Sequence, residues 1–373
     1  MHKNARKLPM PSFMAIVAPG LENISAKELK FYSKSLKTFG FEYNNINTIK
    51  GGVEFESSFE HGLLSNHFLK TPVRILYRWG QFQEVLRTND IEKAFESLDW
   101  FELLKGFKPE FHVSSFKSKM FHLQKLKQAC EMSYRRVKIK QNIEVVKNRT
   151  TQKVYVRLSK NKMTVSLDTT GELLYKRGQN KAVNEAPLRE NIASSLLWWL
   201  SLQVNKSFNL LDPMCGSGTF LIESQNLYKT HTQRKFQYQL WSTDTRELKL
   251  PELDIKPLIQ NAYGIEVNPN TFKTLSTNTK DFKNIELLQA DCTQVSKTDL
   301  NLSDSLPLIV LTNPPYEKRL HLKQTLSQTL EAINSNFQPE ALFYIYPIDQ
   351  HRNKKPSLTF RSGGLNLGLF KYT

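Results

Sequence analysis

The sequence predicts an α/β fold in which a doubly wound parallel sheet follows a smaller, basic α+β module. Three observations predict it. The apolar runs Leu210-Leu211 and Leu308-Ile309-Val310-Leu311 are short and stopped by Pro and Gly, as strands buried on both faces are. The loops that follow them, Asp212–Thr219 and Asn313-Pro314-Pro315-Tyr316, would lie at carboxyl ends of strands, where open α/β sheets bind ligands. Upstream, residues 101–180 hold 18 Lys and Arg against 6 Asp and Glu, most of a net charge of +17.

The chain begins with a strand at Phe13–Ala18, too short for a secretory core, then a turn at Pro19-Gly20. Leu21, Ile24, Leu29 and Leu36 give a helix, and Gly51-Gly52 splits Phe41–Ile49 from Val53–Phe55 as a hairpin. A helix at Phe59–Leu69 stops before Pro72. Val73–Val85 follows as a half-buried edge strand, with Arg74, Tyr77, Arg78 and Trp79 interleaved. A helix (Ile91–Leu98), a strand (Phe111–Phe116) and a long helix from Phe121 to Lys138 come next. In the long helix Leu123, Leu126, Ala129, Cys130 and Met132 are expected to face a core. That leaves Lys125, Lys127, Arg135, Arg136 and Lys138, with nearby Lys117 and Lys119, for a polyanion. Strands at Val154–Leu158 and Met163–Leu167 close the module, and Gly171–Gly178 reads as a connecting hairpin.

Glu185-Ala186-Pro187 is expected to open a helix that continues through Ile192–Leu202, its Trp198-Trp199 pair buried as core. Leu210–Met214 is the first strand of the second sheet and Thr219–Tyr228 the helix after it. Gly216 and Gly218 let the backbone of the intervening loop approach a ligand closely. Without a following Gly-Lys-Ser/Thr, a phosphate-cradling P-loop is disfavoured. Residues 231–260 show no clean period and read as a long loop near the cleft mouth. Tyr263–Val267 is the second strand, with Glu266 placed to accept from both hydroxyls of a ribose. Ile285–Ala290 is the third, ended by Asp291-Cys292; Ala341–Tyr346 and a hairpin over Leu358–Tyr372 complete the sheet.

The tetrapeptide has its own chemistry. Proline pushes Asn313 and Pro314 extended, and Pro314 and Pro315 have no N–H, so carbonyls point into the cleft unopposed. The Asn313 side-chain oxygen and the Pro314 carbonyl are then placed to accept both hydrogens of one exocyclic amine. Tyr316 offers a flat face to a flipped base, and Lys318 and Arg319 are placed for phosphates.

Leu211–Phe220, Thr312–Tyr316, Tyr175–Gly178 and Glu185–Asn191 resemble the motifs of THUMP-containing class I RNA guanine-N2 methyltransferases. The resemblance covers nearly the whole chain and is closest to the bacterial 23S rRNA branch in a stand-alone form. It implies a ferredoxin-like part (1–56), a THUMP-like RNA-binding domain (57–170), a linker (171–186) and a Rossmann-like methyltransferase domain (187–373). It further implies an S-adenosylmethionine site at Asp212, Pro213, Met214, Cys215, Gly216, Ser217, Gly218, Thr219, Glu266, Val267, Asp291 and Cys292, with catalysis at Asn313–Tyr316. Glu317 departs from the Gly usual there. The competing readings are a tRNA guanine-N2 enzyme, a DNA adenine-N6 methyltransferase and a non-catalytic RNA-binding or ribosome-assembly protein. Three scattered cysteines without ligand spacing, and no apolar run of membrane length, lead us to expect a cytoplasmic protein without metal or membrane partner. A monomer is expected, independently of these observations.

Overall fold

The computed structural model describes residues 10–104, 106–146, 150–177, 188–241, 245, 247–302, 305–315, 325–351 and 353–372. Tyr316, Glu317, Lys318, Arg319, Gly178 and Glu185-Ala186-Pro187 lie outside them.

Alternation along Phe13-Met14-Ala15-Ile16 divides the first sheet into two faces. Its strands are β1 (Ser12–Ile16), β2 (Asn44–Ile49), β3 (Gly52–Glu56), β4 (Arg74–Phe82), β5 (Lys108–Phe116), β6 (Thr151–Ser159) and β7 (Lys162–Asp168), in the order β2-β3-β1-β4-β7-β6-β5. Only β5 and β6 pair in parallel. Phe13 sits opposite Phe55 and Tyr77 on the face covered by helices. These include α1 (Glu22–Ser35), α2 (Phe59–Phe68), α3 (Thr88–Glu96), the short α4 (Trp100–Leu104) and α5 (Leu123–Lys140). A Cβ on Gly62 of α2 would fall 2.0 Å from the Phe13 ring, so the ring packs directly on the helix backbone there.

Two expectations are corrected here. β4 is no edge strand: β1 and β7 flank it. Its cations are tolerated because Arg74 bonds Asp168 and Arg78 bonds Glu54 at 2.6 Å. On α5 the core positions are Leu126, Ala129, Cys130, Tyr134 and Val137, while Leu123 and Met132 are 50% and 53% exposed. The buried stripe runs further along the helix than the early apolar residues suggest.

The second sheet has strands β8 (Phe208–Asp212), β9 (Ile259–Ile265), β10 (Ile285–Leu288), β11 (Leu308–Thr312), β12 (Ala341–Pro347), β13 (Leu358–Ser362) and β14 (Leu365–Lys371). Their order is β10-β9-β8-β11-β12-β14-β13. β8 and β11 are buried throughout and pair in parallel, as their unbroken apolar runs predict. β14 is antiparallel to β12, so the predicted terminal hairpin closes the sheet. Helix α6 (Glu190–Val204) begins later than the Glu185-Ala186-Pro187 reading requires, because Arg189 is still extended, with ψ 140°. Helices α7 (Thr219–Asn226), α8 (Pro269–Thr279) and α9 (Leu326–Phe337) follow β8, β9 and β11.

The two sheets are locked together by the stretch expected at the cleft mouth. His231 donates its N–H to His67 O (2.8 Å), and its carbonyl accepts from His67 Nδ1 at 2.6 Å. Tyr238 N–H reaches Thr169 O and its hydroxyl lies 2.8 Å from His67 Nε2, while Trp241 Nε1 donates to Gln152 Oε1 (2.8 Å). Burial holds His67 near pKa 4, so it bridges these partners as a neutral ring. Residues 231–241 are therefore a strap onto the N-terminal module. The expected hairpin at Gly171–Gly178 is also absent among the described residues. Leu174 N–H bonds Val73 O just before β4, and Arg234 of the strap takes the carbonyls of Glu172, Leu173 and Lys176, so these backbone groups do not pair with each other across a hairpin. No helix among the described residues is long and apolar enough to cross a membrane.

Candidate active site

The chain runs from β8 outward through β9 and β10 and returns to β11 on the other side of β8. That reversal opens a crevice above the carboxyl ends of β8 and β11. Asp212–Thr219 and the described part of the tetrapeptide, Asn313–Pro315, follow those strand ends.

Asp212 ends β8 with its carboxylate buried. Oδ1 accepts from Thr312 Oγ1 at 2.8 Å and from Met214 N–H at 3.2 Å. Burial pushes its pKa up to about 7, and Glu266 nearby adds to the rise. Thr312 is the residue immediately before Asn313, so this one bond ties the start of the glycine loop to the start of the tetrapeptide. Thr312 belongs to the resembling motif, but its bond to a residue 100 positions away has no sequence signal.

The loop then turns tightly. Cys215 N–H bonds Ile265 O (3.0 Å), and Gly218 N–H bonds Cys215 O (2.9 Å). Gly218 has φ +84°, and a Cβ there would meet Leu275 of α8 at 2.6 Å. Gly216, with φ +55°, faces open space, which leaves bare backbone toward the crevice. On β9, Gly264 lets Leu221 and Cys215 settle directly on the strand. Asn278 of α8 donates to Ser217 O at 3.1 Å and braces the loop from outside.

Glu266 lies one residue past β9. Its Oε2 accepts from Gly216 N–H (3.1 Å) and its Oε1 from Asn268 N–H (2.8 Å), so each oxygen is fixed and keeps a lone pair for a ligand. Val267 beside it is 63% exposed, an apolar surface left open. Asp291 follows β10 and is exposed; its Oδ1 accepts from Thr293 N–H and Oγ1, closing a turn. The thiols of Cys215 and Cys292 are buried, and burial pushes Cys292 up to about 12, so these residues offer a ligand backbone rather than sulfur. Asn313 and Pro315 are half-buried and Pro314 is buried at the end of β11. The structure thus gathers Asp212–Thr219, Glu266, Val267 and Asn313–Pro315 around one crevice.

The basic residues named in and just before the long helix lie elsewhere. Lys125, Lys127 and Arg135 are exposed on α5, Arg136 is paired with Glu92 at 2.5 Å, and Lys117 lies over the Phe116 ring.

A sheet of this order, with a glycine loop after its central strand and an acid after the next, defines the class I methyltransferase fold. Residues 177–342 match the family described as RMKL-like, methyltransferase domain. Over 339 residues the chain is 25% identical to the Ribosomal RNA large subunit methyltransferase K/L of Colwellia psychrerythraea, a match covering 83% of this chain and 44% of that protein. The chain therefore spans less than half the length of this relative. Among solved structures it resembles a possible methylase from Clostridium difficile 630, with TM-score 0.75 and 22% identity over 97% of each chain. It also resembles a methyltransferase complexed with SAH, with TM-score 0.72 and 19% identity over 97% and 98% of the two chains.

Proposed function

We propose that the chain transfers a methyl group from S-adenosylmethionine to the exocyclic N2 amine of a guanosine in structured RNA, with large-subunit rRNA as the substrate. The observation that carries this reading is the Thr312–Asp212 hydrogen bond, which sets the glycine cradle and the Asn313-Pro314 acceptors at adjacent strand ends. The relative that acts on ribosomal RNA and the neighbour holding SAH, the product of such a transfer, support it.

The residues present suit the donor. Gly216 leaves the space a nucleoside needs, the fixed Glu266 oxygens suit ribose hydroxyls, and Val267 suits an adenine face. Asp212 is a buried carboxyl with no cation beside it among the described residues, and an amino-acid ammonium would supply one. The donor brings an electrophilic methyl on sulfur. Asn313 and Pro314 hold the amine by both hydrogens and turn its lone pair toward that methyl, so positioning supplies most of the rate. The proton leaves after transfer, to water or through Asn313. The domain division at residues 56 and 170, an RNA-binding role for the N-terminal module, a monomeric state and a cytoplasmic site of action belong to the same proposal.

Asp212 gives it a pH signature. With a pKa of about 7 its carboxyl is protonated below that pH, and binding an ammonium must release the proton. Affinity for S-adenosylmethionine should fall up to about tenfold per pH unit below pH 7 and level off above it. Calorimetry across pH reads this directly, and Asp212→Asn should abolish the slope; a slope retained in that variant removes Asp212 from the donor site. The function itself is tested by mass-spectrometric mapping of N2-methylguanosine in large-subunit rRNA incubated with protein and donor. A mark confined to tRNA or to DNA adenine would replace the substrate assigned here.

A further inference from the structure

The face of the first sheet away from the helices is not smooth. Cross-strand pairing puts Met14, Leu76, Arg78, Ser166, Tyr155, His112 and their neighbours on one side. They line a groove of ≈ 340 Å³ that Lys50 and Arg157 also border. α5, which bears the basic residues named from sequence, packs on the opposite face through Tyr134 against Phe111.

The groove carries two kinds of group. One is a stack. Tyr155 lies between Arg74 and His112, which come from strands on either side of it. The guanidinium is 5.9 Å from the ring centroid, and the imidazole is 5.1 Å away at 23°. His112 ends that stack, is 40% exposed, and is held in place by Glu110 at 2.8 Å. The other is unspent donor capacity. Arg78 is 6% exposed and satisfied by Glu54 and Ser166 at its terminal nitrogens, yet its Nε has no hydrogen-bond partner among the described residues. Among the described residues no carboxylate lies within ion-pair distance of exposed Lys50 or Arg157. A flat ring at the end of a stack, a buried donor and two open cations match a base and its phosphates, and the groove is far too shallow in cations for a duplex.

We propose that this groove holds a single-stranded segment of the RNA substrate, one base stacked on His112, with phosphates at Lys50 and Arg157. The inference rests on the RNA reading above and adds to it where the RNA is gripped: the open sheet face, not the α5 face.

The test uses the full chain and a short fluorescein-labelled single-stranded RNA. His112→Ala should weaken binding at least about fivefold, and Arg157→Glu should weaken it and lower the salt slope by about one, with thermal midpoints unchanged. The same RNA bearing 4-thiouridine should crosslink within the β5 or β6 peptides. Wild-type binding by both variants, or loss of binding only in the Lys125→Glu/Arg135→Glu variant with crosslinks on α5, overturns the proposal. If the groove variants keep both oligonucleotide binding and rRNA methylation, the groove fails and the function stands. If the wild type binds here but methylates no RNA, the function fails and the groove stands.

Discussion

Asn313→Ala is expected to lower the single-turnover rate on RNA roughly a hundredfold to a thousandfold, the usual cost of removing one preorganised hydrogen-bonding group from a reacting centre. The amine would keep the Pro314 carbonyl as acceptor but lose the second contact that fixes its lone pair. The affinity for S-adenosylmethionine should be unchanged, because the donor contacts assigned here belong to Asp212, the glycine loop and Glu266. Calorimetry and a rapid-quench assay on one preparation separate the two quantities. A variant that methylates at the wild-type rate would remove Asn313 from the chemistry. A variant that merely binds donor poorly would reassign it to the cradle.

The second large effect lies behind the site, at Glu223 on the helix that follows the glycine loop. Its carboxylate is fully buried and accepts from Arg177 Nη2 at 2.8 Å and from Ser194 Oγ. Desolvation pushes its pKa up, but the Arg177 charge and these hydrogen bonds outweigh it, so the net shift is downward. Glu223→Ala would leave a buried guanidinium unpaired and should destabilise the chain by about 3–5 kcal/mol. Glu223→Gln keeps the hydrogen bonds without the charge and should fall between. Because the folded pKa is depressed, the wild-type contribution is complete above the ordinary glutamate range and disappears as pH falls through the lowered value. Urea unfolding at neutral and acid pH reads this. A Glu223→Ala chain as stable as wild type at neutral pH would mean that water replaces the carboxylate.

Arg177 shows where sequence reading stopped. It sits in the Tyr175–Gly178 motif that carries part of the family resemblance, yet its bonds reach Glu223, Ser194 and the Lys70 carbonyl, 46, 17 and 107 positions away. The strands of the second sheet were legible because a strand buried on both faces must be an unbroken apolar run, and Leu308–Leu311 is one. Asp212, Glu266 and Asn313 could be located because each stands at or just past the carboxyl end of a strand, Asp212 closing β8 and the other two following β9 and β11. The strap was not, since His231, Tyr238 and Trp241 are ordinary loop residues until His67, Thr169 and Gln152 meet them. β4 was misread for the same reason: the acids that let its arginines enter a central strand lie far along the chain, at Glu54 and Asp168.

The strap also bears on how a target is chosen, if the proposed function and groove hold. His67, Tyr238 and Trp241 join the two sheets, so the span from the proposed RNA groove to the crevice would be a fixed length. The molecule would then work as a caliper. It would read how far a guanosine lies from the anchored strand in the folded RNA, and an identical base at another spacing would not reach the jaws.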